Sequence, residues 1–161
     1  MDLLQQAQYQ LWAELKYFDL LKKVPEQTFV NHIPGFPRSL QEIYIHRYEF
    51  CCVWYQSILS PKSVATTPDF ASMSKSDFIA EVIRIFETII QYIKNYDTNH
   101  LRLAVEGLKK PFDVTSDEIL YNIFNHLTFH RCEISLVLKK LGFEIPETDY
   151  NPYLFETRKL I

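Results

Sequence analysis

Three histidines are the residues of this chain whose type and spacing could do chemistry. His126 and His130 stand four apart within an amphipathic segment, and His46 lies near the middle of an earlier one. On an α-helix a spacing of four stacks two imidazoles on one face, so two ligands come preassembled. A third from a facing helix completes a three-nitrogen set of the kind that holds Zn²⁺ or a similar ion and leaves one position open for water or substrate. Zn and Ni are the first expectations for such a set, Mn and Fe the next. The competing reading of the pair is two partly buried, hydrogen-bonded imidazoles with no ion. His32 and His100 fall in connections, where solvation is the expectation.

The elements that must position these rings are four segments of helical period. The first spans about 2–22, with Leu4, Leu11, Leu15, Phe18 and Leu21 at spacings of three, four and seven, and Pro25 ends it. After a connection containing Pro34, Gly35 and Pro37, Ser39 and Glu42 form a capping-box pattern that opens a second helix reaching about residue 59. Its inner face is expected to carry Ile43, His46, Phe50, Val53, Trp54 and Ile58.

Pro61 and Pro68 mark a connection long enough to cross the end of a bundle. Ser74 or Ser76 then starts a third helix with Phe78, Val82, Ile85, Phe86, Ile89 and Ile93 on one face, the cleanest period in the chain. Residues 101–114 alternate instead, with Gly107 before a second apolar patch, and read as extended or as a small hairpin. Thr115 and Glu118 repeat the capping box and open the fourth helix. It runs to Leu141, where Lys139 and Lys140 suit the negative end of the dipole and Gly142 is the stop. The aromatic tail, with Tyr150, Tyr153 and Phe155, is expected to pack on the helices. No repeat or low-complexity linker divides the chain, so the expected fold is all-α, one antiparallel four-helix domain over 1–161.

Composition allows this and excludes other classes. A hydrophobic content of 47% with 15% aromatics in 161 residues is enough for a core that needs no covalent staples. Cys51, Cys52 and Cys132 are odd in number and contain no C-x-x-C, so they read as buried thiols in a reducing cytoplasm. The first ten residues show no basic region followed by an apolar run, and nowhere do about eighteen apolar residues follow one another, so neither secretion nor membrane spanning is expected. Seventeen basic against twenty acidic side chains give a net charge of -3, which disfavours sequence-independent binding to nucleic acid.

The order of these parts resembles a known family. An amphipathic helix is followed by I-x-x-H (Ile43 to His46), then T-S-x-E, then N-x-x-x-H-x-x-x-H-R (Asn122 to Arg131), then L-x-x-L-G (Leu138 to Gly142). This looks like the DinB family of damage-inducible and related metalloproteins, the DinB/YfiT-like metalloenzymes, over nearly the whole chain. The resemblance implies a four-helix bundle with a long crossover between the second and third helices, often a homodimer, and a divalent metal held by His46, His126 and His130. It also implies that thiol-dependent transferases and isomerases using low-molecular-weight thiols are among the relatives. The family's damage-inducible name is no evidence of a role in DNA repair.

A divalent ion with three neutral ligands keeps its charge, so it can acidify water to near neutrality or hold a thiol as thiolate. A peptidase of the H-E-x-x-H type is a poor fit, because Leu127 stands where the glutamate would be. Glu42, Glu49 and Asn122 are the candidate groups to orient ligands or accept protons. Arg131, a quarter-turn from His130, is expected to pair with Glu133, Glu118 or the tail rather than touch substrate. Phe50, Trp54, Tyr121, Phe124 and Phe129 are candidates to line a pocket, and equally candidates for core. Cys132 reads as inert packing rather than a nucleophile. Two function classes follow: a metal-dependent enzyme, hydrolase-like or thiol-transferase-like, acting on a small molecule; or a noncatalytic metal-binding or stress-response interaction protein.

Overall fold

A computed structural model of the chain describes residues 2–61, 66–105 and 108–160. Those residues are mostly helical and form six α-helices and one two-stranded sheet. In chain order they are α1 (Leu3–Leu21), α2 (Glu26–Val30), α3 (Leu40–Leu59), α4 (Lys75–Lys94), β1 (His100–Leu103), β2 (Phe112–Thr115), α5 (Ser116–Lys140) and α6 (Tyr150–Thr157). Among the described residues one 3₁₀ turn, Phe70–Ser72, lies between α3 and α4.

The ends of the helices form where the sequence places their signals. Both capping boxes close: Ser39 with Glu42 starts α3, and Thr115 with Glu118 starts α5. In each, the hydroxyl accepts from the N3 amide and the glutamate accepts from the cap amide, which satisfies two backbone donors that the helix itself leaves unpaired. Ser74, not Ser76, caps α4. At the far end of α5, Gly142 takes φ 87°, and the amides of Phe143 and Gly142 donate back to Leu138 and Lys139. That pattern is a Schellman stop, and its positive φ favours the glycine.

The inner face of α4 is as expected: Phe78, Val82, Ile85, Phe86, Ile89 and Ile93 are all buried. The faces of α1 and α3 agree with expectation only in part. On α1 the buried residues are Leu3, Ala7, Gln10, Ala13, Glu14, Tyr17, Phe18, Leu20 and Leu21, whereas Leu15 is exposed. On α3 they are Leu40, Ile43, Tyr44, Arg47, Tyr48, Cys51, Tyr55 and Ile58, and Val53 is exposed. Phe18, Leu21, Ile43 and Ile58 are buried as expected, and what a hydrophobic-period reading leaves out are the charged and amide side chains that both helices carry into the interior, where they pair with one another.

The long helices share one core, with α1 against α4 and α5, and α3 against α5 and α4. In the stretch expected to be extended or a small hairpin, β1 pairs antiparallel with β2, with Leu101 opposite Val114; Gly107 lies outside the described residues. The aromatic tail folds as α6 on α1. There the Tyr9 hydroxyl donates to the Thr148 carbonyl, and Trp12 and Lys16 both bond Glu156. Two short helices, α2 and α6, stand where the sequence suggests only a connection and a tail. No helix among the described residues is long and apolar enough to cross a membrane.

Candidate metal centre

His46 projects from the middle of α3, and His126 and His130 project one turn apart from α5. Because α3 packs along α5, the three rings meet. Their centroids stand 5.2 Å (His46 to His126), 4.7 Å (His46 to His130) and 4.5 Å (His126 to His130) apart, and one ligand nitrogen from each lies within 4.8 Å of the others. Nitrogens sharing a tetrahedral ion at about 2.0–2.1 Å stand roughly 3.4 Å apart, so a small rotation of the rings closes the remaining gap. His130 is buried and the other two are half-buried, so the cluster sits at the edge of the core with one side toward solvent. His32 and His100 are exposed and take no part.

The chemistry of the donors fits a cation. Nε2 of His126 is buried with no hydrogen-bond partner, and an ion would satisfy that lone pair. Nδ1 of His130 lies 2.8 Å from a carboxylate oxygen of Glu133. The carboxylate accepts, so Nδ1 carries the proton and Nε2 is left with the lone pair that a metal would need. Burial, then the neighbouring His130 and His46, hold His126 down to about 4. Burial, then Arg38 and His130, also lower His46. Both rings are thus neutral at neutral pH, the form that binds metal.

The surrounding residues sort differently from expectation. Glu42 is spent on the Ser39 cap, and Glu49 and Asn122 are exposed; the carboxylate bonded to a ring of the cluster is Glu133. Of the candidate aromatics, Phe50 stacks face to face on His126 at 3.6 Å and Phe129 meets His130 edge-on at 5.0 Å. Trp54 packs on Phe50, Phe124 is core, and Tyr121 is exposed. Cys51 is buried, and burial raises its thiol; Cys52, half-buried, is pushed up to about 11 by burial and then by Glu81. Cys132, expected as buried packing, is exposed.

Arg131 turns away from His130, as its quarter-turn offset requires, yet its partners are neither Glu133, Glu118 nor the tail. It is buried and donates to Glu14 and Gln10 of α1. Glu118 and Glu133 were already committed, to the α5 cap and to His130. Arg38 was not anticipated either. One guanidinium nitrogen of Arg38 is buried without a partner, and its charge reaches both His46 and His126.

Residues 1–159 match the DinB family. Protein DinB of Bacillus subtilis (strain 168) is 26% identical to the chain over 161 aligned positions, which cover 94% of this chain and 92% of the relative. On the match along its whole length, the chain belongs to the DinB family.

Proposed function

We propose that this protein is a divalent-metal-dependent enzyme whose single DinB-type four-helix bundle, α1, α3, α4 and α5 with a long crossover between α3 and α4, presents a three-histidine site to a small-molecule substrate. The observation that carries the reading is the convergence of three imidazoles from two helices, one of them with a buried nitrogen that nothing among the described residues satisfies. His46, His126 and His130 would hold the ion. When bound, the ion supplies a Lewis-acidic position at which water or a thiol becomes acidic enough to act as a nucleophile at neutral pH.

The rest is done by the chain. Glu133 fixes the tautomer and orientation of His130. Phe50 covers one face of His126 and keeps water from that side of the ring. Arg38 places a positive charge beside the cluster, with one buried nitrogen that has no hydrogen-bond partner among the described residues, which favours an anionic substrate or cosubstrate, such as a low-molecular-weight thiol bearing a carboxylate. The donor group is three imidazoles with no carboxylate or thiolate among them, which suits an open site better than a closed structural one. Imidazole donors suit Zn and Ni first, with Mn and Fe after them.

A cytoplasmic location is part of the proposal, supported by thiols that are not paired in disulfides. So is a homodimer: Phe129, Cys132 and Leu136 leave an exposed, largely apolar strip along α5 at spacings of three and four. The test is elemental analysis of protein purified without tag or chelator, beside the triple variant H46A/H126A/H130A. Near-stoichiometric metal in the wild type and none in the folded variant is the expected result, and it would direct screening to small-molecule hydrolysis and thiol transfer. No metal in either, even after incubation with Zn²⁺, Ni²⁺ and Mn²⁺, would overturn the reading in favour of a noncatalytic interaction protein.

A further inference from the structure

Each proposed ligand is followed in sequence by a residue tied into one buried network, and the centre of that network is a carboxylate on a helix that carries no ligand. Arg47 follows His46, Leu127 follows His126 and Arg131 follows His130. Arg47 grips Glu14 of α1 with both terminal nitrogens and also donates to the Leu127 carbonyl at 3.0 Å. Arg131 donates to Glu14 at 3.1 Å and to Gln10 at 3.0 Å, and the Tyr48 hydroxyl donates to Glu14 at 2.7 Å. Gln10 in turn donates to the Phe124 carbonyl and the Thr128 hydroxyl of α5. Glu14, Arg47 and Gln10 are completely buried, and Arg131 is nearly so.

Stability alone is a weak reason for such a network, since well-packed apolar side chains in place of a buried ion triad do as well or better. What apolar packing does not supply is direction. A two-pronged guanidinium–carboxylate pair has a fixed geometry, and a charged group in the interior cannot slide to a second position without losing its partner. Adjacent Cα atoms are about 3.8 Å apart, so locking Arg47, Leu127 and Arg131 locks the backbone that bears each histidine. Rotation of α3 or α5 by one residue would carry its ring about 100° off the shared face.

We propose that Glu14 is a positioning residue of the metal centre: through Arg47 and Arg131 it sets the rotation and register of α3 against α5 so that the three imidazoles meet. This inference rests on the three-histidine reading above. It predicts that His46, across the helix interface, depends on the network, whereas His126 and His130, sharing one helix, stay neighbours without it.

The test compares wild type with E14M/R47M/Y48F/R131M, an apolar replacement chosen to keep the interior filled, and with Glu14→Gln. Two readouts are taken on folded protein: Co²⁺ affinity with its absorption spectrum, and nuclear Overhauser effects between histidine ring protons in the metal-free state. In the apolar variant, effects from His46 to the other two rings should vanish while those between His126 and His130 persist. Co²⁺ affinity should fall about tenfold or more, the scale on which outer groups act on metal sites. A folded variant that keeps the His46 contacts and wild-type affinity overturns the proposal. Should the apolar variant unfold, Glu14→Gln is read by the same contacts and decides the question. If the wild type binds no Co²⁺, the metal reading falls on its own, and the ring contacts still show whether Glu14 aligns the histidines.

Discussion

Glu133 accepts a hydrogen bond from Nδ1 of His130 at 2.8 Å, three residues along the same helix. The pair settles which nitrogen of His130 faces the cluster, and a carboxylate behind the ring makes the opposite nitrogen a better donor. Glu133→Ala should therefore weaken metal binding by roughly 10–100-fold, with Glu133→Gln in between, because the amide oxygen still accepts. Competition against a chromophoric chelator measures it. Unchanged affinity in the alanine variant would mean that the carboxylate has no part in ligation.

Phe50 lies flat on His126, with ring planes only 10° apart and centroids at 3.6 Å. Such a contact restricts the rotation of the imidazole and is worth about 0.5–1.5 kcal/mol beyond area burial. Phe50→Ala should lower stability by about that amount or somewhat more, and should weaken metal binding several-fold because the ring is freed. Phe50→Tyr should do neither. Urea unfolding and the chelator titration together separate the two effects, and a loss of stability with no loss of affinity would reduce Phe50 to packing.

The low pKa of His126, about 4 from burial and its neighbours His130 and His46, fixes the sign of a pH effect on the metal-free protein. In the unfolded chain this ring titrates near its ordinary value of 6.5, so between pH 6.5 and 4 the unfolded state binds the extra proton. Stability of the metal-free protein should fall as pH drops through that window. His46, also lowered, acts in the same direction. Metal should suppress the dependence until protons displace it. His126→Gln should flatten the curve between pH 6.5 and 4; an unchanged curve would show that His126 titrates normally in the folded state.

The histidine cluster was legible because its signal is local: a spacing of four on a strongly patterned helix, plus one ring on another helix. The caps were legible for the same reason, since Ser39, Ser74 and Thr115 each act on an amide three residues away. Arg47, Glu14 and Arg131 were not, because a charged residue reads as a surface residue until its partner is known, and Glu14 lies 33 and 117 positions from its two arginines. Without them the periodicity admits Leu15 and Val53 to the inner faces of α1 and α3, where both are exposed, alongside Phe18, Leu21, Ile43 and Ile58, which are buried. Glu133 could have been found. An acid three residues after a helical histidine is within reach of its ring, whereas the sequence reading sets it beside Glu118 and the tail as one of three partners for Arg131.

Glu14 itself should govern the acid side of the stability profile. Burial, the largest influence on it, raises its pKa; the charges of Arg47 and Arg131 and the hydrogen bonds from Arg47 and Tyr48 outweigh burial and hold it below the ordinary 4.5. The unfolded chain therefore takes up this proton first as pH falls. The carboxylate's contribution is complete above 4.5 and is lost as pH drops through the folded-state value. At pH 7, Glu14→Gln leaves two buried guanidiniums short of their counterion and should cost roughly 3–5 kcal/mol. Both proteins share the same histidines, so their titration cancels when the two are compared at each pH. The gap between wild type and Glu14→Gln, read from urea midpoints from about pH 7 down to pH 3, should hold steady above 4.5 and narrow below it. A gap that stays constant to pH 3 would mean that the loss comes from altered packing around the amide and not from the missing charge.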